Sequence, residues 1–143
     1  HLSKIFKKIW GKELPKQVFE KIMELTERHP YYVNYICDEL CSMSESMPSV
    51  SNVEKAWNRV IEEERSDLIK DFSSLSQNQR KLMIYVATYG GNEVYSSEAS
   101  KKTDMPTGSI SRVLSLLVEK DYLEKVGDSY RLITPVYKNI LTQ

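Results

Sequence analysis

Glycine, cysteine and histidine are all scarce in this chain, with five, two and two residues among 143. So little glycine argues against a glycine-rich nucleotide-binding loop and against an all-β sandwich. The two cysteines, Cys37 and Cys41, lie four residues apart on one predicted helix, where helix geometry is poor for a disulfide. We therefore expect two reduced thiols, which is typical of a cytoplasmic protein.

The chain also lacks an excess of charge of either sign and lacks long apolar runs. Lys plus Arg and Asp plus Glu number 20 each, which argues against a strongly basic nucleic-acid binder and a polybasic membrane anchor. No apolar run approaches the roughly 18 residues of a membrane span, and the N-terminus has no signal-peptide core. We expect a cytoplasmic protein with no membrane partner, and the missing initiator Met suggests a piece of a longer polypeptide.

Motifs for catalysis and metal binding are missing as well. A P-loop needs two glycines and a lysine in fixed register, but Gly11-Lys12 is followed by Glu13, and Phe6 occupies the position of the earlier glycine. A zinc site from His29 and the two cysteines has three ligands at most, without a Cys-x-x-Cys pair. We expect no catalytic residue, no metal site and no enzymatic activity in this chain.

What the sequence does contain is helical periodicity throughout residues 1–72. Apolar spacing predicts amphipathic helices that begin near Lys4, at Pro15 and near Pro30, where Pro suits the first turn. The third of these helices is predicted to bury both cysteines. A loop over residues 42–52 follows, and Ser51 or Asn52 is predicted to cap a fourth helix that runs to about residue 72.

Residues 73–143 have a different pattern. A Ser-x-x-Gln capping box at Ser76 predicts a helix that stops at Gly90. A short helix is predicted from Ser96 or Ser97, a longer one from Thr107, and then a β-hairpin with its turn at Gly127-Asp128-Ser129. This order of elements is that of a winged helix-turn-helix.

The predicted fold class is therefore mainly α. A helical lid-like bundle over residues 1–72 is followed by a winged helix-turn-helix with a small β-hairpin wing over residues 73–143. By count, the first part carries 11 basic and 13 acidic side chains, and the second carries 9 and 7, so neither part has a large charge asymmetry.

Four segments resemble the C-terminal region of archaeal-type AAA+/STAND P-loop ATPases. Residues 26–33 (T-E-R-H-P-Y-Y-V) resemble the T-x-G-H-P-Y-Y-V helix start in the lid, with Arg28 at the usual Gly position. Residues 75–82 and 109–117 are similar to the first and third helices of the family's winged helix. Residues 121–123 together with residues 130–135 are similar to its wing and exit, with Thr134 at a position that is usually Asp.

The resemblance implies a lid plus winged helix whose partner is the absent N-terminal P-loop core of the same polypeptide. It implies that Pro30, with Arg28, His29 and Tyr31 flanking it, contacts the nucleotide in the parent protein. The parent would use ATP and magnesium, whereas this chain alone holds no cofactor. The winged helix would couple the nucleotide state to a protein effector, as a regulatory device.

A DNA-binding winged helix is the alternative interpretation. The third helix of the motif would enter the major groove, and the phosphate contacts would come from lysines. The candidate residues for this role are Lys101, Lys102, Thr107, Ser109, Ser111, Arg112, Ser115 and Lys125. The net charge of this half is only about +2, by the count above, and its outward face is mostly hydroxyl groups, so the regulatory interpretation is preferred.

Overall fold

The computed structural model describes residues 2–43 and 46–142. These residues form a mainly helical structure with one small antiparallel hairpin. The helices are α1 (Leu2–Trp10), α2 (Lys16–Thr26), α3 (Pro30–Met43), α4 (Val50–Ser73), α5 (Gln77–Tyr89), α6 (Ser97–Thr103), α7 (Thr107–Glu119) and α8 (Val136–Leu141). The strands β1 (Leu123–Val126) and β2 (Ser129–Leu132) lie between α7 and α8. Within the described residues, no helix is both long enough and apolar enough to span a membrane.

The chain forms two compact units, and the division falls inside α4, between Glu64 and Arg65. The sequence places the boundary later, after residue 72. The last turns of α4 belong to the second unit because two tyrosines of that unit hydrogen-bond to them. The Tyr137 hydroxyl donates to the Leu68 carbonyl (3.1 Å) and the Tyr122 hydroxyl donates to the Asp71 carbonyl (3.3 Å).

The first unit is built around the apolar stripes of α1 to α4. Trp57 is 2% exposed, as its position in the middle of α4 predicts, and Trp10 near the chain end is only half-buried. The core also contains fully buried side chains from all four helices: Phe6, Ile22, Ile36, Leu40, Val53 and Val60.

Both cysteines are free thiols, but only Cys37 is buried, and the prediction that Cys41 is buried as well is wrong. Ile36 and Leu40 lie at the centre of the buried stripe of α3, and Cys37 lies at its edge. Because four residues advance a helix by one turn plus roughly 40°, Cys41 lies beyond that edge and faces solvent.

The fourth helix starts earlier than predicted. Its N-cap is Ser49 rather than Ser51 or Asn52. Asn52 contributes to the cap through a pair of hydrogen bonds with Ser49. The Asn52 N–H donates to the Ser49 hydroxyl (3.2 Å) and the Ser49 N–H donates to the Asn52 side-chain oxygen (2.9 Å). The predicted loop is therefore shorter, and residues 44 and 45 within it lie outside the described residues.

In the second unit the predicted caps are present. Ser76 and Gln79 form a complete capping box on α5, and Ser96 caps α6 through the Ala99 N–H. The hairpin pairs Val126 with Ser129, so its loop has two residues and Ser129 belongs to β2 rather than to the turn. Gly127 has φ +62°, which suits the first loop position of a type II′ turn.

Gly91 ties the segment after α5 to the hairpin. Its carbonyl accepts a hydrogen bond from the Tyr130 N–H of β2 (3.0 Å). The backbones approach so closely that a Cβ atom added at Gly91 would lie 1.6 Å from the Tyr130 carbonyl oxygen. Gly91 does not have a positive φ, so its backbone conformation does not require glycine. Glycine is required because there is no space for a side chain beside Tyr130.

Candidate functional site

The turn between α2 and α3 carries two consecutive non-glycine residues in the left-handed region. Glu27 has φ +51° and Arg28 has φ +61°. The Glu27 N–H donates to the Glu24 carbonyl (3.3 Å) and the Arg28 N–H donates to the Met23 carbonyl (3.2 Å), which closes the end of α2. This is the pattern of a Schellman motif, in which glycine is the usual residue. The usual glycine position of that motif is held by Glu27, and Arg28, also at positive φ, is a second residue in a region that glycine favours.

The N-terminal end of α3 is open to solvent. Pro30 and Arg28 are exposed, His29 is half-buried, and the Tyr31 side chain is 56% exposed. This exposure is what the sequence predicts for Pro30 and its neighbours. The first N–H groups of a helix have no partner within it and carry the positive end of the helix dipole. The end of α3 is thus accessible to an anionic ligand.

His29 packs inward among the tyrosines that follow it. Its ring lies 5.1 Å from the Tyr32 ring, centroid to centroid, at 66°. The His29 Nδ1 atom is buried and has no hydrogen-bond partner within the described part of the chain. His29 therefore supports the turn through ring packing more than it presents a free imidazole to a ligand.

Three tyrosines of α3 reach across to two adjacent glutamates of α4 in the same unit. The Tyr31 and Tyr32 hydroxyls donate to the two carboxylate oxygens of Glu64, at 3.3 and 2.6 Å, and the Tyr35 hydroxyl donates to Glu63. The charge of Glu64 raises the pKa of Tyr31, and the hydrogen bond to Glu63 raises the pKa of Tyr35. Both phenols consequently stay protonated and remain donors.

A surface cavity of about 310 Å³ lies along the outer face of α3, lined by Tyr31, Asn34, Tyr35 and Asp38. Sequence reasoning missed Asn34, Tyr35 and Asp38 as candidate site residues. The sequence does contain a pattern that groups them with Tyr31, because the four residues occupy positions i, i+3, i+4 and i+7, which share one helix face. The partners of the tyrosines on α4 are more than 25 residues distant in sequence, and no local pattern identifies them.

The residues of the DNA-binding interpretation lie on α6, α7 and β1 of the second unit. All of them are exposed except Ser109, which is half-buried. The Ser115 hydroxyl donates to the Ser111 carbonyl (3.1 Å) within α7. The side chains Thr107, Ser111 and Arg112 form an exposed polar face.

Lys102 is already engaged by its own unit. Its Nζ lies 3.0 Å from the Tyr89 hydroxyl, 4.4 Å from the centre of the Tyr89 ring and 3.7 Å from Glu98. The hydrogen bond with Tyr89 raises the pKa of Lys102, so the side chain is a cation at neutral pH. Lys101 lines a second surface cavity of about 370 Å³ together with Asp104, so the charge there is balanced.

No group of three or more His, Cys, Asp or Glu side chains is arranged to hold a metal ion in residues 2–43 and 46–142. Burial raises the pKa of the Cys37 thiol to about 12. A thiol with so high a pKa has almost no thiolate at neutral pH and is a poor nucleophile.

A scan against protein-family models finds no match, and neither the curated proteins nor the solved structures include one that matches this chain.

Proposed function

We propose that the chain is the C-terminal lid and winged-helix region of a P-loop ATPase. In this proposal the start of α3 contributes one side of a nucleotide site, and the second unit transmits the nucleotide state to a partner. The observation that carries the proposal is the exposed helix start at His29-Pro30-Tyr31, in the segment that resembles the lid motif.

The chemistry of this helix start suits a nucleotide. The ring of Pro30 offers an apolar surface to a base, and the helix N-terminus favours phosphate oxygens. Arg28 adds a positive charge beside it. Arg28 has φ +61°, a region that glycine enters readily, so the position has a conformation that a glycine there could also adopt.

The architecture of the second unit supports a winged helix-turn-helix. α5, α6 and α7 are followed directly by the β1–β2 hairpin, and the segment at Gly91 hydrogen-bonds to the hairpin through Tyr130. Closure of the lid around a nucleotide would change the position of this unit, which is a switch and not a chemical step. The P-loop core would supply the phosphate cradle and the magnesium ligands.

The test uses the full-length parent polypeptide and compares Pro30→Ala with Pro15→Ala, which changes another Pro at a helix start. Pro30→Ala removes two ring carbons. At about 0.8 kcal/mol per buried CH2, full contact with the base implies a loss of roughly tenfold in ATP affinity. Pro15→Ala should leave affinity unchanged. Equal ATP affinity of both folded variants and the parent would leave Pro30 as a helix starter only.

DNA binding is the second candidate, and the exposed polar face of α7 with Arg112 favours it. It predicts that the chain binds a DNA duplex with an affinity that falls steeply with salt, because phosphate contacts release counterions. Arg112→Ala and Lys125→Ala should each weaken binding, whereas Lys16→Ala in the first unit should not. Binding that is absent at low salt would reject this candidate.

A further inference from the structure

The cavity on α3 has two aromatic walls that meet at a right angle. The ring centroids of Tyr31 and Tyr35 are 5.9 Å apart, and the ring planes are inclined by 89°. Both rings line the cavity, together with Asn34 and Asp38. Its volume of about 310 Å³ is at the lower end of the range of roughly 300–1,000 Å³ for small-ligand pockets.

The electrostatic character of this corner is negative. An aromatic ring presents a negative face to a cation, and both tyrosine hydroxyls donate to carboxylates, Tyr31 to Glu64 and Tyr35 to Glu63. This donation leaves additional electron density on the rings. The Asp38 carboxylate completes the lining, and it makes no hydrogen bond or ion pair with any other residue that the structure describes. Arg59 lies 4.0 Å from Glu39, so its charge is paired with a carboxylate that does not line the cavity.

We propose that the Tyr31–Tyr35 corner binds a methylated ammonium group, the cation of choline or of a trimethyllysine side chain. Perpendicular aromatic walls with one carboxylate are the recognition chemistry of quaternary ammonium ions. A methylated ammonium is weakly hydrated and loses little on leaving water, whereas the unmethylated lysine ammonium is strongly hydrated. The cavity is open, two of its four lining residues are aromatic, and only Asn34 and Asp38 add carbonyl or carboxylate oxygens, so it offers too few acceptors to replace the water of a hydrated cation.

This inference is independent of the proposed nucleotide site, although Tyr31 flanks both. The proposed nucleotide site would bind an anion at the end of α3, whereas the Tyr31–Tyr35 corner would bind a cation on the side of α3. The test below uses no nucleotide, so it has an outcome whether or not the parent is an ATPase.

The experiment titrates the 15N-labelled chain with choline and, separately, with 3,3-dimethylbutan-1-ol, which has the same shape without the charge. The amide signals of residues 31–38 should shift with choline, with a dissociation constant at least tenfold lower than that of the neutral alcohol. Equal shifts from both compounds, or shifts spread over the whole chain, would overturn the proposal.

The two sources of the ammonium group are distinguished by a short peptide that contains one trimethyllysine, compared with the same peptide containing lysine. A methylated peptide that binds more tightly than choline identifies a protein side chain as the source, and weaker binding identifies a free small molecule. Unmethylated peptide that binds as tightly as methylated peptide would overturn the proposal in favour of a general basic-peptide surface.

Variants then assign the site to its residues. Tyr35→Leu removes one wall and should weaken choline binding by roughly threefold to tenfold, while Tyr35→Phe keeps the ring and should retain most of the affinity. Asp38→Asn should weaken binding without affecting the fold, since Asp38 is exposed. Tyr89→Leu is the matched control, because Tyr89 is 57% exposed in the second unit and should leave binding unchanged. Unchanged binding by folded Tyr35→Leu would reject the site.

Discussion

Gly91→Ala tests the contact that joins the segment after α5 to the hairpin. The added methyl group would lie 1.6 Å from the Tyr130 carbonyl oxygen, which no rotamer change relieves, because both groups belong to or are fixed on the backbone. Either the segment moves away from β2 or the hairpin shifts. In both cases the hydrogen bond from the Tyr130 N–H to the Gly91 carbonyl (3.0 Å) is distorted or lost.

The magnitude follows from two contributions. Overpacking a well-packed region costs about 1–3 kcal/mol, and loss of a net backbone hydrogen bond costs about 0.5–1.5 kcal/mol. The free energy of unfolding of the second unit should therefore fall by about 2–4 kcal/mol. For a domain of this size, 1 kcal/mol changes the melting temperature by about 4–8 °C, so a decrease of at least about 8 °C is expected.

The matched control is Gly108→Ala, because a Cβ atom at Gly108 would meet nothing within 4 Å. Gly108 is the second residue of α7, where alanine keeps part of the helix-propensity advantage over glycine that reaches about 1 kcal/mol in a helix interior. This variant should therefore be as stable as the parent or slightly more stable.

Circular dichroism measures unfolding of the whole chain, and residue-resolved hydrogen exchange assigns the loss to residues 65–143. Tryptophan fluorescence reports on the first unit alone, because Trp10 and Trp57 both lie there. A Gly91→Ala variant with the stability of Gly108→Ala would refute the argument that backbone proximity requires glycine at this position.

Three further predictions concern the first unit. Trp57→Ala should reduce the free energy of unfolding by about 3–5 kcal/mol, because the side chain is 2% exposed. Trp57→Phe should reduce it less, since the buried indole N–H has no partner among the described residues. Chemical denaturation measures both variants, and equal losses of unfolding free energy would contradict the prediction. Arg28→Gly should raise the free energy of unfolding by about 0.5–1 kcal/mol. A left-handed conformation costs a non-glycine residue about 1–2 kcal/mol, and glycine gives back part of that gain because its unfolded chain has greater entropy. An Arg28→Gly variant less stable than Arg28→Ala would contradict the prediction. Iodoacetamide at pH 8 should alkylate Cys41 in the native chain, more slowly than a small-molecule thiol because partial burial and the charge of Asp38 raise the pKa of Cys41. It should reach Cys37 only after unfolding. Mass spectrometry of digested protein checks this, and early modification of Cys37 would contradict it.

The helices and their caps could largely be predicted from the sequence, because their determinants are local. The capping box at Ser76 and the stop at Gly90 need only a few neighbouring residues, and the structure contains both. The start of α4 was predicted two or three residues late. Ser49, Ser51 and Asn52 are all good N-cap residues, and only the reciprocal bond between Ser49 and Asn52 distinguishes the cap that forms.

Long-range features could not be predicted in the same way. The exposure of Cys41 depends on where the buried stripe of α3 ends, which its packing partners determine. The aromatic corner depends on Glu63 and Glu64 of α4, which fix the tyrosine hydroxyls of α3 from a distant part of the sequence. Gly91 looks like an ordinary helix-terminating glycine in the sequence, and its requirement becomes visible only once Tyr130 lies against it.

The two proposals for α3 require opposite charges at places close together on one helix, and this opposition makes them separable. The N-terminus at Pro30 favours anions through its free N–H groups and dipole, and the outer face at Tyr35 and Asp38 favours cations. The corner begins at Tyr31, next to Pro30, and ends one turn later at Tyr35, about 6 Å farther along the helix axis, so an anion at the end and a cation on the side would lie close together. Their opposite charges would then give favourable coupling, which must be reciprocal: in the parent polypeptide, choline should tighten ATP binding by the same factor as ATP tightens choline binding. Mutual exclusion would instead mean that Tyr31 holds one ligand at a time and that the cavity belongs to the nucleotide site.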